Sequence, residues 1–163
     1  MIRVFRISTS TALVLLTALL FQASTPFSVA QTQKTRAGSG DDDAPLFSEY
    51  RTVRIGMTAE EVRKKLSNPS DKSDEQDFFV FNDNESAQVF YDKTHKVFAI
   101  SVNFLKDARD LPTAKGVFGA DLTAKPDGSI YKMVRYPKHG CWVSFSRTAG
   151  DSPLTTVTLQ KIE

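Results

Sequence analysis

Few side chains in this 163-residue chain have catalytic or ligating chemistry. His95 and His139 are its two histidines and Cys141 its one cysteine. Histidine is the usual general base near neutral pH and the commonest metal ligand. Asp92-Lys-Thr-His95 together with Ser101 contains the residue types of a Ser-His-Asp triad. A triad is a spatial arrangement, however, and Ser101 lacks the strand-turn-helix setting of a nucleophile elbow. His139-Gly-Cys141 places one residue between two zinc-type ligands, with no second cysteine to complete a set. Asp71, Asp74, Glu75 and Asp77 miss the calcium-loop spacing and its turn glycine, so they read as a solvated acidic loop. The same holds for Asp41-Asp-Asp43 in its polar surroundings. Asn84-Glu-Ser86 fits a glycosylation sequon, which matters only in a eukaryotic secretory pathway. There is no P-loop, GxGxxG, GxSxG or HExxH motif. The expectation is no catalytic residue, no cofactor, no metal site and no enzyme. A small envelope hydrolase using His95 or His139 is kept as a last alternative.

Those histidines must be positioned by turns. Asp92–Lys96 and Pro137–Gly140 both separate strand-like runs, so both histidines are expected in hairpin turns; if the turns share one end of a sheet, the histidines approach each other. The strand-like runs are Phe78–Phe81, Ala87–Tyr91, Val97–Phe104, Ser129–Tyr136, Cys141–Phe145 and Leu154–Ile162. Val97–Phe104 alternates, with Phe98, Ile100, Val102 and Phe104 on one side and Ala99, Ser101 and Asn103 on the other. Ile130, Lys132, Val134 and Tyr136 likewise alternate with Tyr131, Met133 and Arg135. Strands joined by short turns make antiparallel meanders with one buried face. Aromatic residues are numerous in these strands. Where helices cover one sheet face only, some of Phe79, Phe81, Tyr91, Tyr131 and Trp142 lie on the other face and form a candidate partner-binding surface. The alternative is that a loop or partner sheet covers them.

One helix is delimited by its sequence. In Thr58-Ala-Glu-Glu61 the Thr58 hydroxyl caps the first turn and Glu61 reaches back to the Thr58 N–H, a capping box. Met57 and Val62 have the spacing of a hydrophobic staple. Glu60–Lys64 and Glu61–Lys65 are favourable i,i+4 pairs. Pro69 disfavours helix at Asn68. Only Ala59, Val62 and Leu66 are apolar, so one narrow face is buried, and about three turns of helix must dock on something. A weaker second helix is expected from Asp110, with Pro112 early in it and Gly119 closing it.

Residues 1–30 carry Arg3 and Arg6, a ten-residue apolar run Ala12–Phe21, and small residues at Ser28 and Ala30. This is the pattern of a secretory signal peptide, and the run is short of the roughly 20 apolar residues of a membrane span. Residues 31–45 read as a flexible linker. No cysteine stands close behind the apolar run, the one cysteine being Cys141, so no lipid-attachment cysteine is available. Without residues 1–30 the 21 basic residues lose two and match the 19 acidic ones. That balance argues against nucleic acid or an anionic membrane surface as the partner. A lone Cys141 permits no intrachain disulfide and is either a buried small hydrophobe or an intermolecular link; its strand context favours burial. Folding then rests on packing within residues 46–163.

Ile55-Gly-Met-Thr-Ala-Glu-Glu-Val-Arg-Lys-Lys-Leu66, with Pro69 after it, resembles the signature that opens the SmpA/OmlA (BamE-like) domain. That pattern runs apolar-x-Gly-Met-Thr, an acidic residue, Val, then Leu-Gly-x-Pro. The glycine of its end is Ser67 here. The resemblance is confined to about fifteen residues. It implies helices on one face of an antiparallel sheet, an architecture shared with β-lactamase inhibitory proteins, and a non-catalytic protein-binding role. The expectation is therefore a two-layer α+β domain, with helices packed on one face of an antiparallel sheet. Two helix-plus-three-strand halves are expected, at 46–106 and 107–163. The expected function is an exported protein-interaction module of the bacterial cell envelope, periplasmic or secreted, with a protein partner and similar to outer-membrane assembly factors. A secreted inhibitor-type binding protein is the alternative.

Overall fold

The computed structural model describes residues 44–162, which lie within one compact unit. The signal peptide expected at 1–30 and nearly all of the linker expected at 31–45 lie outside the described residues.

The dominant element is one seven-stranded antiparallel sheet. Its strands are β1 (Asp71–Lys72), β2 (Gln76–Asn82), β3 (Glu85–Tyr91), β4 (Val97–Leu105), β5 (Ile130–Tyr136), β6 (Cys141–Arg147) and β7 (Leu154–Lys161). Their order across the sheet is β1-β2-β3-β4-β7-β6-β5. Two three-stranded meanders, β2-β3-β4 and β5-β6-β7, thus meet through their last strands, β4 and β7.

The register separates the two faces. One core row runs Lys132, Phe145, Val157, Val102, Ala87, Phe79 across β5, β6, β7, β4, β3 and β2. The next runs Val134, Val143, Leu159, Ile100, Val89, Asp77. Most of these residues are fully buried. Side chains alternate along a strand, so their neighbours form the opposite face. The alternation breaks once: Tyr91 pairs with Val97 and Phe90 with Ala99, leaving Phe98 as the extra residue of a bulge. Phe98 therefore leaves the core series and lies beside Phe90, ring centroids 6.1 Å apart.

The expectation of two helix-bearing halves and a helical layer is overturned. The one helix of ordinary length is α1 (Ala59–Leu66), eight residues; α2 (Ala114–Phe118) is a five-residue helical turn. The core face is closed mostly by irregular chain. Phe47, Tyr50, Val53, Ile55 and Met57 cover it before α1, and Ala108, Leu111 and Leu122 after β4. The physical reason lies in the sequence. The α1 stretch offers only a narrow apolar stripe, and the stretch after β4 has no apolar period long enough to sustain a second helix. Thr113, not Asp110, caps α2, its Oγ1 accepting from Gly116 N at 3.0 Å. Gly119, at φ 76°, ends it in the left-handed conformation that glycine adopts without cost.

The caps of α1 match the sequence reading. Thr58 N donates to Glu61 Oε2 at 2.8 Å and Glu61 N to Thr58 Oγ1 at 3.3 Å. The β3–β4 turn also docks here, with Ala59 N donating to His95 O at 3.0 Å and Val97 N to Met57 O at 2.8 Å.

Candidate functional site

The residues nominated for catalysis are not brought together. Asp92 Oδ1 is committed to its own turn, accepting from Thr94 N at 2.8 Å and Thr94 Oγ1 at 2.6 Å. These bonds, the side-chain bond from Thr94 foremost, hold its carboxyl below the usual aspartate range. Ser101 Oγ lies on the open sheet face, 3.1 Å from Thr158 Oγ1. His95, at φ 56°, closes the β3–β4 turn, and His139 sits in a short 3-10 turn between β5 and β6; both are exposed. The two turns do share one end of the sheet. Three inter-strand spacings still separate their midpoints, roughly 14 Å. Among the described residues no group of three His, Cys, Asp or Glu is placed to hold a metal ion. Cys141 is buried, and burial pushes its thiol up.

Two clusters of tyrosine, carboxylate and arginine flank β2 and β3. In the inner one, Asp77 Oδ2 accepts from Arg63 Nε at 2.7 Å and from Tyr91 OH at 2.7 Å, while Oδ1 accepts from Arg63 Nη2 at 2.9 Å. Asp77 is fully buried. The fork of Arg63 from α1 thus satisfies a buried carboxylate on the sheet. In the outer cluster, Glu85 accepts from Tyr50 OH at 2.5 Å and from Arg51 Nη2 at 2.9 Å. Arg51 also stacks 4.2 Å over the Phe81 ring. Every polar atom of the inner cluster's carboxylate is used inside the protein, so this is structural cement and not an exposed reactive group.

The sheet face that no other described residue covers is the remaining surface with distinctive chemistry. Its register forms three rows. Tyr131, Ser146, Thr156, Asn103, Ser86 and Val80 make the first. Met133, Ser144, Thr158, Ser101, Gln88 and Phe78 make the second. Arg135, Trp142, Gln160, Ala99, Phe90 and Gln76 make the third. Leu105 and Leu154 extend it at one end. From β5 to β2 the only charged residue in these rows is Arg135; beyond them Asp71 of the short β1 continues the second row beside Phe78. Small hydroxyl and amide side chains fill the middle strands, tied by Thr156 to Asn103 at 2.8 Å and Gln88 to Gln76 at 2.8 Å. Large apolar and aromatic side chains stand at both margins. Of the five exposed large hydrophobics among the described residues, Val80, Leu105, Tyr131 and Met133 are all here, and only Leu46 is elsewhere.

The five residues expected to form a binding surface are split by this geometry. Tyr131 and half-buried Trp142 lie on the open face. Phe79 and Tyr91 are core residues, 2 % and 4 % exposed, and Phe81 packs against the core beside Phe79 and Tyr50. The five-residue patch is thus corrected. The strand β2 has aromatics at 78, 79 and 81, so its alternation alone does not say which face is inside. Tyr91 is drawn in by its hydroxyl bond to Asp77, a partner fourteen residues away. The residues missed were Val80, Met133 and Arg135, legible only as the odd members of each alternating series. At the margin near Phe90 and Phe98 the surface dips into an open groove of about 840 Å3, with Asp92, His95 and Lys161 on its walls.

No family model, curated protein or solved structure matches the chain. No helix among the described residues is long and apolar enough to cross a membrane.

Proposed function

We propose that this chain is an exported, non-catalytic protein-interaction module of the bacterial cell envelope, similar in role to outer-membrane assembly factors, and that it meets its partner with the open face of its sheet. The observation that carries the reading is compositional. Six of the seven strands on this open sheet face hold a single charge, Arg135, with Asp71 added only on the two-residue edge strand β1, and the face concentrates the exposed Tyr131, Met133, Val80 and Leu105, in a chain of which 25% is charged. Interface centres are depleted in Lys, Asp and Glu and enriched in aromatic residues, Met and Arg, and contiguous apolar exposure on a soluble domain marks a contact surface. Arg135, Trp142, Tyr131 and Met133 form the densest group of such residues and are the anchors of this surface. The leader-like residues 1–30 support export.

The test pairs capture with stability. A double Tyr131→Ala, Trp142→Ala variant should lose at least about tenfold in capture of envelope proteins, as anchor truncations of roughly 2 kcal/mol do. Its melting temperature should stay within a few degrees of the parent. Capture unchanged by this variant would overturn the assignment of the surface. Amino-terminal sequencing of the exported chain should begin at Gln31, and a product that stays uncleaved in the cytoplasm would overturn the envelope assignment.

A further inference from the structure

The two edges of the sheet are finished differently. At one edge β1 is two residues long and is followed by the charged turn at 73–75, which blunts pairing there. At the other edge β5 runs seven residues without proline. Among the described residues, no backbone hydrogen bond beyond its ladder with β6 involves residues 130–136. Half of its N–H and C=O groups therefore point outward without a strand to receive them.

We propose that the β5 edge pairs with the β5 edge of a second copy of this chain. The two strands run antiparallel about a twofold axis at Met133, so that the two sheets become one continuous sheet. The strand sequence selects both this occupant and this register. A twofold axis perpendicular to the sheet keeps each face with its like, so it must pass through a residue facing itself. With the axis at Met133, all seven residues pair: Ile130 with Tyr136, Tyr131 with Arg135, Lys132 with Val134, and Met133 with Met133. An axis at Lys132 or at Arg135 sets a cation directly opposite its copy, which destabilises a pair. Axes at Tyr131 or Val134 leave part of the strand unpaired. In the Met133 register no cation faces a cation. On the open face each Arg135 guanidinium meets a Tyr131 ring of the other copy, a favourable cation–π pairing. Lys132 stays off the seam, its Nζ held 5.3 Å over the Phe118 ring of its own chain. A charge on an edge strand discourages indiscriminate pairing, and here it leaves one register open. Pairing would also join the two Tyr131–Met133 margins, both exposed in the single chain at 58% and 46%, into one patch spanning the axis. This inference does not depend on the envelope assignment.

The experiment uses the whole chain, purified, in sedimentation equilibrium over a concentration series. The parent should reach twice the monomer mass. Met133→Lys, which sets two ammonium groups face to face on an already exposed position, should weaken self-association about fivefold or more. Met133→Cys should give a disulfide-linked dimer on mild oxidation. The Cα separation in either kind of antiparallel pair, about 4.5 or 5.5 Å, lies in the disulfide range, and the buried Cys141 of the parent should give no such product. Circular dichroism melts establish that both variants fold. A parent that stays monomeric at high micromolar concentration overturns the proposal. So does a dimer that Met133→Lys leaves intact and that does not cross-link through Cys at position 133.

Discussion

The inner cluster, Arg63–Asp77–Tyr91, and the outer one, Arg51–Glu85–Tyr50, use the same three kinds of group in two surroundings. Asp77 has no exposed side-chain surface and Arg63 is 26% exposed; the corresponding values are 13% for Glu85 and 46% for Arg51. Arg63 is carried by the helix α1, whereas Arg51 sits in a two-residue turn between Tyr50 and Val53 at φ 46°. In the first surroundings water cannot replace a lost partner, and in the second it can. The hydrogen bond from Tyr91 to Asp77 and that from Tyr50 to Glu85 both add to burial, the larger cause, in raising the tyrosine hydroxyls above their ordinary value. The same chemistry therefore has a different energetic role at each place. Inside, it is the price of closing α1 onto the sheet; outside, it clips the chain before α1 to the end of β3.

The largest effect should come from breaking the inner cluster. Asp77→Ala leaves the buried Tyr91 hydroxyl without its acceptor and leaves the partly exposed Arg63 guanidinium with Ser73 O alone. Breaking one side of a buried ion pair costs about 3–5 kcal/mol, so urea denaturation should show a loss of that size. A loss below about 1 kcal/mol would mean that water reaches the site and that the two clusters do not differ as described. Asp77→Asn, which keeps the shape and one acceptor, should fall between the parent and Asp77→Ala.

The outer cluster should respond less and should respond to pH. Burial pushes the Glu85 carboxyl up, but the hydrogen bonds from Tyr50 and Arg51 outweigh it and hold the group below the usual glutamate value. A carboxylate with a depressed folded-state pKa contributes stability that is fully present above its unfolded value, near 4.5. The contribution is lost as pH falls through the folded value. Glu85→Gln should therefore cost about 1 kcal/mol at pH 7, in keeping with a charge-assisted bond open to solvent on one side. The gap between variant and parent should narrow as pH drops below about 4. A gap that stays constant from pH 7 to pH 3 would show that Glu85 acts by shape and not by charge.

How much of this was legible depends on the range of the interaction. The capping box at Thr58–Glu61 and the alternation of Ile130–Tyr136 are local, and both stand in the structure. Local signals also placed the turns around His95 and His139. They did not reveal that Asp77, read as part of a solvated acidic run, is buried. Its burial depends on Arg63 fourteen residues earlier and on Tyr91 fourteen residues later. Nor did they show that the second meander lacks a helix of ordinary length. Irregular chain closes the core as well as a helix does, provided its apolar residues arrive there, and Leu111 and Leu122 do so without a helical period. The bulge at Phe98 is a third case. One extra residue inverts the expected face, and only the pairing of Tyr91 with Val97 discloses it. The open face was half legible, as Tyr131 and Trp142, because its other members are distinguished only by what covers the opposite side.

The smallest effects concern the backbone that carries each arginine. Ser67, the residue that ends α1, has φ 71° and ψ −162°, a region occupied almost solely by glycine and costing other residues about 1–3 kcal/mol. Glycine is also the residue found there in the pattern that the opening stretch resembles. Thr52, beside Arg51, is a β-branched residue at φ 68°, likewise disfavoured, and its Oγ1 accepts a 3.3 Å bond from Lys65 Nζ. Ser67→Gly should raise stability by about 1 kcal/mol, because the side chain is exposed and the backbone gain is unopposed. Thr52→Gly should gain less, since it gives up the bond from Lys65 and loosens the turn that aims Arg51 at Glu85. Alanine separates the causes: Ser67→Ala keeps the strain and should gain nothing. Equal melting temperatures for Ser67→Gly and Ser67→Ala would mean that the end of α1 relaxes freely, and that the strain is not held in place by the ion pair anchoring the helix at Arg63.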